Sequence, residues 1–181
     1  MKKTVKKPVR KNASERAISD RQILGRFDLD TGDKFSPKKD WEEVKKYFKG
    51  KCVYCGAKEG NKVVLHKDHA IPINRRWLGM HRHGNIVPAC QECNSDKSAR
   101  NFAHFCRLQD KLGKQSKRGA EAEKDIREYM KYMRGIGYKK LRLGKNEEER
   151  KEIRKILDEA GKESGKLRDA TVALLKEIVN T

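Results

Sequence analysis

Four of the five cysteines occur in two pairs, Cys52/Cys55 and Cys90/Cys93, with two residues between the members of each pair and 34 residues between the pairs. Two such knuckles can converge on one tetrahedral ion, and zinc suits four thiolates. Because sulfur would fill every position and leave none for water, we expect a structural zinc site. The alternative is four unrelated buried cysteines or disulfides. We expect Cys106 to be a small core residue rather than a fifth ligand or a nucleophile.

A second set of polar residues lies in the loop between the cysteine pairs. The chain there reads D-H-A-I-P, beginning at Asp68, and then G-N-I-V-P-A-C-Q-E-C-N-S-D-K, in which the first asparagine is Asn85. Over about residues 50–108, this combination resembles the HNH endonucleases whose ββα-metal core is flanked by a four-cysteine zinc site. The resemblance implies an α+β fold, with a small ββα-metal core and zinc knuckles flanked by N-terminal and C-terminal helices.

The resemblance also implies a role for each of these residues. His69 matches the general base, Asp68 the metal-binding carboxylate, Asn94 the last metal ligand, and Asn85 the asparagine that shapes the loop around the base. Asn94 stands at a position where histidine also occurs in the family, so this ligand cannot titrate. The reaction implied is hydrolysis of a DNA phosphodiester bond, leaving 5′-phosphate and 3′-hydroxyl ends.

The chemistry of phosphodiester hydrolysis accounts for these residue types. A neutral imidazole can take a proton from water near pH 7. Carboxylate and amide oxygens suit Mg²⁺ or Mn²⁺, and such a cation can bind the scissile phosphate and stabilise the leaving oxygen. Taken singly, Asp68 could be a turn carboxylate, His69 a polar residue at a loop start, and Asn85 a turn former.

The remaining histidines are expected to be surface or partly buried side chains, and His66 is the one nearest to the proposed site in sequence. The whole set comprises His66, His81, His83 and His104.

The formal net charge of +19 and the pI near 9.8 indicate a polyanionic partner. Double-stranded DNA is favoured over membrane, because no run of about 18 apolar residues could span a bilayer. The basic N-terminus is not followed by the apolar stretch of a signal peptide, so a soluble, intracellular, cytoplasmic protein is expected. Five basic residues are predicted to contact phosphates, although Lys97 could instead be a solvated helix charge; they are Arg75, Arg76, Arg82, Lys97 and Arg100.

The chain is expected to fit one small domain with appendages. Its N-terminal part predicts a helix at about residues 36–49, capped by Ser36 or Asp40, with Trp41, Val44 and Phe48 on one face. The predicted organisation is a flexible basic arm at 1–16, an N-terminal helical segment at 17–50, the nuclease core at 51–112 and a C-terminal helical extension at 113–181.

Within the core, short apolar runs at 63–65 and 86–87 predict two strands separated by a loop at 70–84. A helix is expected to start near Asn94, with Phe102, Phe105 and Leu108 as its buried stripe.

Three further helices are predicted in the C-terminal extension, with Asn146 and Ser164 as the caps of the last two. Their expected ranges are 120–134, 147–160 and 165–179, and their apolar residues are Ile126, Met130, Met133, Ile153, Ile156, Leu157, Leu167, Leu174 and Ile178.

The leading hypothesis is therefore a metal-dependent DNA endonuclease, for example a restriction or homing-type enzyme. One site per chain cuts one strand, so a double-strand break would need a homodimer or two successive nicks. The competing hypothesis is a non-catalytic zinc-knuckle module that binds nucleic acid. It explains the cysteines and the charge, but it gives no reason for Asp68, His69 and Asn94 to occur together.

Overall fold

The computed structural model describes residues 20, 22–24, 35–112, 118–138 and 142–179. Helices and a two-stranded antiparallel sheet make up the described chain, which confirms the predicted α+β class. The basic arm predicted for residues 1–16 lies outside the described residues. In chain order the elements are α1 (Lys39–Tyr47), β1 (Leu65–His69), β2 (Ile86–Cys90), α2 (Gln91–Lys97), α3 (Phe102–Leu112), α4 (Gly119–Gly135) and α5 (Glu147–Val179).

The sheet places the two central polar residues at the end of β1. β1 and β2 are antiparallel, with Asp68 opposite Val87 and His69 opposite Ile86. The predicted first strand was placed too early: Val63 forms an isolated bridge with Gly60, Val64 is 62% exposed, and β1 begins only at Leu65. All five residues of β2 are buried, so the sheet is anchored through this second strand.

The helical region after β2 is interrupted, in contrast to the single helix predicted from near Asn94. α2 begins directly after Cys90, which places Asn94 in the middle of the helix rather than at its start. Ser98 then adopts a positive φ of 50°, and this conformation ends the helix. α3 starts where the backbone N–H of Phe102 donates to the Ala70 carbonyl at 2.9 Å, so the new helix is tied to the end of β1.

The main core forms where the sheet meets α1, α3 and α4. Val44 of α1 and Phe105 of α3 are buried in it, with Trp41 and Phe48 packed against it as partly buried side chains. α4 contributes Ile126, Met130 and Met133, the three residues that its helical periodicity predicted to be buried. The faces predicted for α1 and α4 are therefore confirmed. Of the stripe predicted for α3, Phe102 and Phe105 are buried, whereas Leu108 is only partly buried.

The C-terminal part contains one continuous helix of 33 residues, α5, where the sequence predicted two. Asn146 caps it, since its side-chain oxygen accepts the Glu149 N–H at 2.9 Å. Ser164 lies inside the helix, so its predicted role as a cap is wrong. Leu157 is buried against Leu24 and Leu78, whereas Ile156 is exposed. In the described ranges, no helix is both long enough and apolar enough to cross a membrane.

The loop between β1 and β2 is held by ion pairs and hydrogen bonds to Asp20, to Leu143 and to α5. The Arg75 guanidinium donates to Asp20 at 2.5 and 2.7 Å and also pairs with Asp158 on α5. The backbone N–H of Leu143 donates to the Leu78 carbonyl at 2.9 Å. These contacts fix the loop that faces the end of β1.

Candidate active site and metal centre

Four cysteines that lie far apart in sequence converge on one point. Cys52 and Cys55 come from the first knuckle, Cys90 ends β2, and Cys93 lies in the first turn of α2. Their Sγ atoms all lie within 4.8 Å of one another, and Cys55 Sγ is 3.7 Å from Cys90 Sγ. A tetrahedral ion with metal–sulfur bonds of about 2.3 Å places neighbouring sulfurs about 3.8 Å apart. The cluster therefore has the size and donor set of a four-sulfur metal site.

Hydrogen bonds within the cluster shift the pKa values of two of its cysteines in opposite directions. Bonds from the Cys52 and Cys93 thiols lower the pKa of Cys55 to about 3. Hydrogen bonds with Cys52 and Cys55, together with burial, raise the pKa of Cys93. Cys106 is fully buried in the main core and is not part of the cluster, as predicted.

Asp68 is held by a buried hydrogen-bond network at the end of β1. Tyr54, from the first knuckle, donates to Asp68 Oδ2 at 2.6 Å. Lys97, from the end of α2, donates to Asp68 Oδ1 at 3.0 Å and to the His69 carbonyl at 2.7 Å. Burial raises the pKa of Tyr54 well above its usual value, and the neighbouring carboxylate raises it further, so the phenol keeps its proton. The network fixes both carboxylate oxygens in position.

These hydrogen bonds still leave Asp68 able to bind a divalent cation. Each carboxylate oxygen has two lone pairs, so Asp68 can accept one hydrogen bond at each oxygen and still offer a metal ligand. Asn94 is half-buried, three residues before Lys97 on the same helix. Residues at this spacing are neighbours on the helix surface, so Asn94 lies beside the residue that reaches Asp68. The oxygen donors of Asp68 and Asn94 are of the type that Mg²⁺ and Mn²⁺ prefer.

The ring of His69 pairs with a second histidine that sequence reasoning did not select. His69 Nε2 lies 2.9 Å from Nδ1 of His81, and both side chains are half-buried. His66 is nearer to His69 in sequence, but His81 is the residue that reaches it. Of the others, His83 is buried beside Asp40 at 2.9 Å, and His104 is exposed on α3.

Asn85 joins the two ends of the loop between the strands. Its side-chain oxygen accepts the Ile71 N–H at 2.7 Å, and its amide nitrogen donates to the carbonyls of Ile71 at 2.9 Å and Met80 at 2.7 Å. Asn85 is fully buried, so these bonds are shielded from water. Asn85 thus contacts the residue after His69 and the residue before His81, which is consistent with a loop-shaping role.

The five basic residues predicted to contact phosphates differ in their exposure. Lys97 is 1% exposed and its ammonium is bonded to Asp68, so it is neither a solvated helix charge nor a surface contact for phosphate. Arg82 is 4% exposed, and Arg75 is committed to Asp20 and Asp158. Arg76 and Arg100 are exposed. Sequence position alone could not separate these cases, because burial depends on the folded loop.

Comparison with known proteins identifies the part of the chain that contains these residues. Residues 52–100 match the family model described as HNH endonuclease. A stretch of 67 residues is 36% identical to the SPbeta prophage-derived putative HNH endonuclease YoqL of Bacillus subtilis (strain 168), and covers 32% of this chain and 27% of that protein. The chain thus matches about a quarter of this relative's length. Residues 52–100 therefore form an HNH endonuclease domain whose four cysteines are positioned to hold a metal ion.

Proposed function

We propose that this protein is a metal-dependent endonuclease that hydrolyses phosphodiester bonds in double-stranded DNA. The observation that carries the proposal is the arrangement at the end of β1, where the buried Asp68 carboxylate and the half-buried His69 imidazole are adjacent inside the HNH domain. His69 is the general base, and Asp68 and Asn94 hold Mg²⁺ or Mn²⁺. The net charge of +19 favours a polyanionic substrate.

The residues divide the work of hydrolysis between them. His69 takes a proton from the attacking water, and the resulting hydroxide forms a bond to phosphorus as the bond to the 3′-oxygen breaks. The leaving oxygen gains its proton from solvent. Tyr54 and Lys97 keep the Asp68 carboxylate oriented through the bonds described above. The divalent cation, when bound, supplies charge stabilisation at the phosphate.

The four cysteines are proposed to hold a structural zinc ion. Four sulfur ligands leave no position for water, so this ion takes no part in the hydrolysis. Its role is to join the first knuckle, which carries Tyr54, to the end of β2 and the start of α2.

The test is cleavage of supercoiled plasmid by purified protein, with Mg²⁺, with EDTA, and with Mg²⁺ restored after EDTA. Wild type should cut only when Mg²⁺ is present. His69→Ala should lower the single-turnover rate by about 10²–10⁴-fold, the usual contribution of a general base. Its zinc content and its DNA binding in Ca²⁺ should not change. His104→Ala is the matched control, because His104 is an exposed histidine in the same domain.

Two results would contradict the proposal. If His69→Ala kept most of the wild-type rate, His69 would not be the base. DNA binding by wild type without any metal-dependent cleavage would instead favour a non-catalytic zinc-knuckle binding module. A parallel assay with duplex RNA tests the choice of DNA as substrate.

A further inference from the structure

His69 and His81 share a hydrogen bond that restricts how protons can be placed on both rings. The Nε2–Nδ1 distance is 2.9 Å, and the ring centroids lie 5.1 Å apart with the planes inclined at 58°. One of the two nitrogens must therefore donate and the other accept. The direction of this bond decides which nitrogen of His69 can act as a base.

Only one direction leaves His69 useful for catalysis. If Nε2 of His69 carries the proton and donates to His81, the lone pair of the His69 ring is at Nδ1, directed away from His81. In the opposite arrangement the lone pair is at Nε2 and is used by the His81 N–H, and Nδ1 carries a proton. A neutral imidazole in this second tautomer could not take a proton from water at Nδ1.

His81 is itself held firmly in place. Its ring packs edge-on against Phe35, with centroids 5.4 Å apart, and Phe35 is buried. The carbonyl of the preceding residue, Met80, accepts a hydrogen bond from the Asn85 side chain. The N–H of Gly79 donates to the Pro72 carbonyl at 3.0 Å. A ring that packs on a buried aromatic side chain, carried by a hydrogen-bonded backbone, can orient its partner, which a freely rotating surface histidine could not do.

We propose that His81 is a positioning residue that sets the tautomer and the ring orientation of His69. Its Nδ1 accepts the hydrogen bond from Nε2–H of His69, which leaves the basic lone pair at Nδ1 of His69. When Nδ1 takes the proton of the attacking water, the Nε2–H of the resulting imidazolium stays bonded to His81. Asn85 supports this arrangement by fixing the backbone at Met80. This inference rests on the proposed role of His69 as base.

The experiment compares His81→Ala with His81→Asn in the zinc-loaded, full-length protein. The oxygen of an asparagine side chain can accept a hydrogen bond near the place of Nδ1, whereas alanine cannot. His81→Ala should lower the single-turnover cleavage rate by about tenfold or more, because a wrongly oriented or tautomerised histidine is a poor base. His81→Asn should recover most of the loss. His104→Ala, exposed on α3, should cut like wild type.

A second readout does not depend on cleavage. Nitrogen NMR of the imidazole rings, recorded without Mg²⁺ at a pH where His69 is neutral, reports which ring nitrogen carries the proton. Wild type and His81→Asn should show His69 protonated at Nε2, and His81→Ala should show a mixture of tautomers. A purely structural role for His81 would lower the melting temperature and leave the His69 tautomer unchanged.

Failure of this inference is distinguishable from failure of the proposed function. If His69→Ala is inactive while His81→Ala has the wild-type rate and the wild-type tautomer, only the role of His81 is overturned. If His69→Ala cuts normally, the proposed base is wrong. Should His81→Ala fail to fold, the wild-type spectrum still decides: protonation of His69 at Nδ1 would overturn the proposal.

Discussion

At the residue scale, the buried pair of Lys97 and Asp68 determines the environment of the site. The lysine ammonium is almost fully buried, and burial lowers the pKa of Lys97, although the Asp68 carboxylate opposes this shift. A buried ion pair adds little net stability, because the attraction of the charges must first offset their desolvation. Loss of one partner is costly, since the other charge is then left buried and unpaired. The pair is therefore best understood as a device that fixes the position of Asp68.

Replacing Lys97 by methionine should show this asymmetry. The substitution keeps the length of the side chain but leaves Asp68 with Tyr54 as its remaining donor in this network. We expect the free energy of unfolding to fall by about 3–5 kcal/mol, the usual cost of breaking a buried pair. Urea unfolding of the zinc-loaded protein at pH 7 measures the change. Arg100→Met, an exposed control nearby, should stay within about 0.5 kcal/mol; equal stability of the two variants would contradict the pairing.

At the element scale, the cysteine cluster joins three short parts of the chain. The first knuckle, β2 and α2 meet at the cysteine cluster, and the two strands alone form too small a sheet to be stable. A metal ion shared among these elements would contribute its binding free energy to folding.

Cys52→Ser and Cys106→Ser form a matched pair of variants, because both cysteines are fully buried and only Cys52 belongs to the cluster. Cys52→Ser should lose the bound zinc and unfold the region around the sheet. Cys106→Ser should keep the metal and lose about 1–3 kcal/mol, the cost of burying a hydroxyl. Metal analysis and thermal unfolding distinguish them. An equal loss of stability in both variants would contradict the proposed structural zinc site. So would wild-type protein that contains no zinc.

Gly161 tests whether α5 is one helix. The structure places it inside the helix. The nearest atom to a Cβ added there would be Arg75 Nη2, at 4.0 Å, so a methyl group fits. Gly161→Ala should therefore raise stability by about 0.5–1 kcal/mol. At a helix stop with positive φ the same change would destabilise the protein. Gly144→Ala provides that contrast, since Gly144 has a φ of +79° and its Cβ would lie 2.6 Å from Arg150 Cγ. Destabilisation by Gly161→Ala, measured by denaturant unfolding, would favour two helices.

At the scale of the whole molecule, basic residues serve two different purposes. Arg75 joins the loop between the strands to α5 and to Asp20. Arg76, its neighbour, is exposed and lies over the ring of Trp77 at 5.2 Å from the centroid. Some basic residues, such as Arg75, form ion pairs that hold the fold together. Others, such as Arg76, are exposed and available to a polyanion.

Arg75→Met and Arg76→Met should separate these purposes. Arg75→Met should lower the melting temperature, because two acidic groups lose their shared partner. Arg76→Met should leave the melting temperature unchanged and weaken binding to every duplex. If Arg76 contacts one phosphate, the slope of log K against log salt should become shallower by about 0.9. Salt titrations in Ca²⁺, which suppress cleavage, measure this slope. The reverse pattern would show that Arg75 is the DNA contact.

Local spacing in the sequence was enough to predict the cysteine cluster, the strand pair near Asp68 and His69, and the buried faces of α1 and α4. Each of these depends on residues within one knuckle, one strand or one helix, where periodicity and short loops limit the possible geometry. Helix boundaries were less predictable. Ser98 ends α2 through its backbone conformation, and the exposed Ser164 lies inside α5 although serine favours helix caps. The preference of one residue for a cap is too weak a signal to place the end of a helix.

Only the tertiary structure decided which charges are buried and which rings meet. Lys97 lies 29 residues from Asp68, His81 lies 12 residues from His69, and Arg75 lies 83 residues from Asp158. No periodicity links such positions, because their contacts are made by the path of the loop between β1 and β2 and by the packing of α5 on it. By itself the sequence therefore determined the types of residue available for the chemistry. The folded loop determined which of them support His69 and Asp68 and which are left to meet a substrate.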